Sequence, residues 1–146
     1  MTIRKATVLD ISALIIMLDS MHKETEVIVP KINSAKLVNK INELIHKGLV
    51  LVAVENNKIQ GSIAGQIAQD WWSEENYIAD AWFYVFKDQR TSGVAKSLLV
   101  DYIKQANDAK LKVRLGHIFS GDLERKDKLF TRMGFFLFIY FTNFII

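Results

Sequence analysis

The sequence has no cysteine at all, which excludes disulfides, thiolate catalysis and cysteine-ligated zinc. Histidine is scarce: His22, His46 and His117 are scattered without metal-ligand spacing, and no metal site is expected. A basic block is missing too. The 19 lysines and arginines and the 16 acidic residues are spread along the whole chain, so the net charge of +3 forms no track for a phosphate backbone, and no nucleic-acid partner is expected. Long apolar runs are also absent. The most apolar stretch, Phe135 to Ile146, is shorter than the roughly 20 residues that a membrane-spanning helix needs, and reads as a buried strand. Met1 to Asp10 alternates charged and apolar residues and carries no signal-peptide core, so a cytoplasmic protein without a membrane partner is expected.

What is present describes a globular chain. Its 146 residues suit one domain, 1–146, and 50% apolar against 24% charged residues can bury a substantial core. Thr2 to Ala6 predicts a first strand, with Thr7 and Asp10 spaced as a helix cap and its third helical position. Ile11, Leu14, Ile15, Leu18 and Met21 form a stripe at the helical period. A polar linker through Glu24 and Glu26 to Pro30 leads to a second helix, capped by Ser34, with Leu37, Val38, Ile41, Leu44 and Ile45 as its stripe. The period then changes. Leu49 to Val54 and Ile59 to Ala68 predict a hairpin about the turn Glu55-Asn56-Asn57-Lys58. Tyr77 to Phe86 predicts a long strand with Asp80, Trp82 and Tyr84 on one face and Ala81, Phe83 and Val85 on the other. A helix opened by Gly93, a strand Leu111 to Phe119, a helix Asp122 to Met133 ended by Gly134, and a last strand complete the order. That order is an α/β (α+β) pattern with one crossover helix joining parallel strands.

The segment Tyr84 to Leu99 runs from strand through a loop of small residues straight into a helix. The first turn of a helix has amides without intrahelical partners, and its dipole favours negative charge, so a pyrophosphate fits on the amides of residues 90 to 95. Gly93 and Ala95 leave room for it, Val94 lies between them, Arg90 and Lys96 add cations, and Thr91, Ser92 and Ser97 offer hydroxyls. A plain loop with glycine at a helix start is the alternative reading of the same pattern.

Arg90-x-x-Gly93-x-Ala95 resembles the acetyl-coenzyme A (acetyl-CoA) pyrophosphate loop of the GNAT N-acetyltransferases, Q/R-x-x-G-x-G/A. Leu129-Phe130-Thr131-Arg132-Met133-Gly134-Phe135 is similar to that family's L-Y-x-K-x-G-F segment, and Ile3-Arg4-Lys5-Ala6-Thr7 with Asp10 to its first strand and helix cap. The resemblance implies a mixed central sheet flanked by helices, with Tyr77 to Phe86 and Leu111 to Phe119 splayed to admit pantetheine. It implies direct acetyl transfer from acetyl-CoA to an amine, with main-chain groups of Phe83 and Val85 on the pantetheine arm and an amide near Val85 polarising the thioester carbonyl. The acceptor would be a small-molecule or peptide amine.

A carboxylate is then needed to take the amine's proton. Asp80 is the first candidate, with an aromatic neighbourhood that raises its pKa; a solvated acid is the alternative reading, and Glu55 is a second option. The family's tyrosine is Phe130 here, which can stack on the cofactor but has no proton to donate, leaving Tyr84, Tyr140 or His117 to protonate the thiolate. Trp71 and Trp72 read either as acceptor contacts or as half-buried packing residues, and Glu24 and Glu26 either as attracting a cationic amine or as a solvated linker. The family usually has two strands after the Gly134-Phe135 position, so the C-terminal strand region is shortened, and its apolar edge predicts pairing across a homodimer. A relative without catalysis, kept for binding or assembly, is the competing reading.

Overall fold

The computed structural model describes residues 1–25, 28–116 and 123–135. Its centre is a five-stranded sheet in the order β1 (Thr2–Lys5), β2 (Leu49–Glu55), β3 (Lys58–Gln69), β4 (Asn76–Val85), β5 (Lys112–Arg114). All pairs are antiparallel except β4 with β5, which run parallel, joined by the crossover helix α3 (Val94–Asp108). Helices α1 (Ile11–Glu24) and α2 (Ser34–Lys47) bury their apolar stripes against one face, where Leu14, Met17, Leu18, Ile41 and Leu44 meet Val50, Val52 and Trp82. On the other face, α3 and α4 (Leu123–Arg132) bring Leu98, Leu99, Tyr102 and Phe130 onto Leu51, Ile63, Ile78 and Phe83.

Local chemistry accounts for the boundaries. Thr7 and Asp10 form a reciprocal capping box, and Arg4 clamps the Asp10 carboxylate with two bonds of 2.7 and 2.9 Å, so β1 is tied to the start of α1. Asn33 caps α2 in place of the expected Ser34: its extended backbone lets the side-chain oxygen accept from Lys36 N at 2.9 Å, and Ser34 becomes the first helical residue. Asn56 and Asn57 both take positive φ, the primed turn that matches the twist of β2 and β3.

Two features interrupt the pairing of β4 among the described residues. The β4–β5 ladder holds only Tyr77 to Ala79 against Lys112 to Arg114, while β4 continues to Val85, so the far half of β4 has no described strand on that side. A β-bulge also interrupts the β3–β4 pairing: Ala64 pairs with Trp82 and Gly65 with Asp80, leaving Ala81 unpaired. The predicted strand Leu111 to Phe119 is thus a described strand of three residues, Lys112–Arg114. His117, Phe119, Glu26, Tyr140 and the run 136–146, with the dimer contact expected of it, lie outside the described residues.

Candidate functional site

The loop after β4 is built by one glycine. Lys87–Gln89 forms a single 3-10 turn, and the chain enters α3 through Gly93 at φ +84° and ψ 3°. No atom stands within 4 Å of where a Cβ would lie, so it is the left-handed backbone, not a crowded neighbour, that favours glycine there. Thr91, Ser92, Gly93 and Lys96 are exposed, Ala95 is half-buried, and Val94 is buried under the helix. Ser92 Oγ donates to the Gln89 carbonyl at 2.6 Å, so it serves its own turn. The first α3 amides have no intrahelical carbonyl to pair with, and the helix dipole places positive potential at this end.

A cleft of about 350 Å³ lies against this terminus, bounded by the end of β4, the last turn of α1 and one face of α4. Among the described residues, Arg90, Lys96, Arg125, Lys126, Lys128 and Arg132 line it against one carboxylate, Glu24. The α4 contribution was not read from the sequence. The signal was there: Arg125, Lys128, Leu129 and Arg132 recur at three- and four-residue steps, which is one helix face.

Arg90 stands at the centre of this wall. Its Nε donates to the Val85 carbonyl at 3.0 Å, and its two terminal nitrogens donate to Glu24 at 2.5 and 2.8 Å. Tyr84 donates its hydroxyl to the same carboxylate at 2.7 Å, and Arg125 donates to the Arg90 carbonyl. Arg90 holds the Glu24 carboxyl below its ordinary pKa, whereas burial, helped by Glu24, pushes the Tyr84 phenol up to about 12. Glu24 therefore reaches the cleft, but its charge is answered by Arg90. Lys126 donates to the Phe83 carbonyl at 3.1 Å, so the main-chain oxygens of Phe83 and Val85 each take a cationic donor from the cleft wall.

Asp80 does not line the cleft, and it is not on the face expected for it. Ala81 is accommodated as an extra residue, which shifts the alternation by one: Trp82 and Tyr84 face α1 and α2, while Ile78, Phe83 and Val85 face α3 and α4. Asp80 follows Ile78, with its carboxylate accepting from Gly116 N at 2.8 Å. Burial raises its pKa to about 6, against the Gly116 N–H and Lys126, which lower it. Asp80 and Tyr84 are thus separated by the sheet.

The remaining candidates are dispersed. Phe130 is 7% exposed and stacks on Phe83, ring centroids 6.0 Å apart, so it is a core residue behind the cleft wall. Glu55 sits at the β2–β3 hairpin, 3.9 Å from the Met1 amino group, away from the cleft. Trp71 and Trp72, 92% and 67% exposed, touch edge to face at the β3–β4 turn; they are not half-buried packing residues, and they do not line the cleft.

A mixed sheet with one parallel pair, joined by a crossover helix whose N-terminus meets a cationic cleft, is the arrangement that the described residues present. The family model for the acetyltransferase (GNAT) family matches residues 17–135, and the chain belongs to that family. Its members use acetyl-CoA. Solved structures share the fold: an acetyltransferase of Trypanosoma brucei at 16% identity and TM-score 0.74, with 99% of both chains covered. A predicted acetyltransferase from Clostridium acetobutylicum with acetyl-CoA is 21% identical at TM-score 0.73, covering 99% of this chain and 93% of that one. The ribosomal-protein-alanine N-acetyltransferase of Brucella melitensis biovar Abortus 2308 is 16% identical at TM-score 0.70, covering 100% and 99%. No curated protein matches the sequence. No helix among the described residues is long and apolar enough to cross a membrane.

Proposed function

We propose that the chain, acting as a single domain over residues 1–146, transfers the acetyl group of acetyl-CoA directly to an amine, a small molecule or a peptide. The observation that carries this reading is the cleft with six cations and one carboxylate at the α3 terminus, which fits a ligand bearing several phosphate charges. The α3 amides and Lys96 would hold the pyrophosphate, with the left-handed Gly93 aiming them. Phe83 and Val85 offer carbonyls to the pantetheine arm, exchanging the Lys126 and Arg90 donors for its amides. The bound cofactor supplies an activated acetyl thioester. Asp80, with a pKa near 6, is ionised at neutral pH and basic enough to take a proton from an attacking amine through water. Tyr84 is the donor candidate that lines the cleft; its phenol, raised to about 12 and bonded to Glu24, gives up its proton reluctantly. That constraint, with Phe130 buried and without a hydroxyl, favours as second reading a cofactor-binding relative with little turnover.

Thermal unfolding with and without acetyl-CoA tests the cofactor first. Ligand at about 100 times its Kd adds roughly 2.7 kcal/mol, equivalent to a rise of roughly 5–10 °C in Tm. Gly93→Val is expected to abolish the shift, because valine is strained at φ +84°. No shift in the native chain would remove the cofactor reading, and a shift without thiol release across a panel of amines would select the second reading.

A further inference from the structure

Tyr102 lies on the inner face of α3, is 0% exposed, and has the one buried side-chain oxygen among the described residues that has no hydrogen-bond partner. Phenylalanine would fill the same space without that unpaired hydroxyl. The hydroxyl is seated deliberately by the sheet: a Cβ on Gly65 would lie 2.0 Å from it, so glycine at that position makes its room. Gly65 is the residue paired with Asp80 at the bulge, and the phase shift at Ala81 turns the Asp80 carboxylate onto the α3 face. The bulge, the glycine and the phenol therefore converge on one carboxylate.

We propose that Tyr102 is a positioning residue for Asp80, its hydroxyl donating to the ionised carboxylate through one bridging water and so fixing its orientation as base. Among the described residues, the groups that face Asp80 are the Gly116 N–H beyond β5, Lys126 on α4 and Tyr102 on α3, and β3 pairs Gly65 with it. Gly116 and Lys126 act on the carboxylate whether or not the phenol is present, and the Tyr102 pKa is raised by burial first and by the Asp80 charge second. A donor to the charged form favours that form, so removing it raises the carboxyl pKa. The catalytic part of the proposal rests on Asp80 being the base; the coupling itself does not.

Carbon-detected NMR titration of the Asp80 carboxyl reads the coupling without any turnover. Tyr102→Phe is expected to raise its midpoint by at least about half a pH unit and to move the acid limb of kcat/KM upward by the same amount. In the unmodified protein, the Tyr102 ring carbon bearing the hydroxyl is expected to shift with the Asp80 midpoint. A midpoint in Tyr102→Phe within about 0.1 unit of the native value, or a flat Tyr102 signal through the Asp80 transition, overturns the proposal. If Asp80→Asn keeps its rate while the two groups titrate together, the base assignment fails and the coupling stands.

Discussion

Asp80 is held by opposing influences: burial favours its neutral form, while Gly116 N–H and Lys126 favour the carboxylate. Its folded pKa of about 6 exceeds the ordinary 3.8, so the native state binds this proton more tightly than the unfolded chain. The stability it contributes is complete below the unfolded value and is lost as pH rises through the folded one, on the order of 3 kcal/mol in all. Asp80→Asn is therefore expected to be more stable than the native protein by about 3 kcal/mol near pH 7.5 and nearly equal to it near pH 4, measured by urea unfolding. The same substitution is expected to lower kcat about 10²- to 10⁴-fold, and native kcat/KM to climb with pH to a plateau above about 6. A native rate in the variant would remove Asp80 from the base role. The sequence marked Asp80 as a candidate through its aromatic neighbours, but not its face, because an extra residue in β4 is visible only through the pairing with β3.

The element that organises the cleft is the strap formed by Glu24, Arg90 and Tyr84, which ties the end of α1 to the loop before α3 and to β4. Glu24 has a depressed pKa, so this strap stabilises the fold above the ordinary carboxyl value of 4.5 and is lost as pH falls through the lower folded value. Glu24→Gln is expected to cost about 1–2 kcal/mol at neutral pH, a difference that disappears in acid, as followed by urea unfolding across pH. No difference at neutral pH would mean that the ion pair only offsets its own desolvation. The helices themselves were legible from their stripes, and the Thr7–Asp10 cap from its spacing. The strap was not, because it joins positions 66 residues apart in sequence.

At the scale of the whole molecule the net charge of +3 is modest, but its distribution is not: six cations of the described residues share one cleft with a single carboxylate. A concave positive surface raises the local concentration of anionic ligands and is screened by salt. Lys128→Glu with Arg132→Glu is expected to weaken acetyl-CoA binding about tenfold or more and to flatten its salt dependence, measured by calorimetry at about 0.05 and 0.5 M salt. Equal affinity and equal salt dependence would mean that this face of α4 stays outside the field of the ligand. Both residues are exposed and Lys128 makes a surface pair with Glu124, so the fold is expected to survive.

What the sequence determined by itself was local. The 3.6-residue stripes produced the helices, Asn56-Asn57 the hairpin turn, and Gly93 before Val94 the start of α3. Each depends on residues a few positions apart, so each is written in the order of the chain. Tertiary structure decided the rest. It put Asp80 on the α3 face through the bulge, buried Phe130 behind Phe83, spent the charge of Glu24 on Arg90, and turned the α4 stripe toward the α3 terminus. These outcomes depend on which strand pairs with which and on side chains distant in sequence meeting across a closed space, and no local period encodes that.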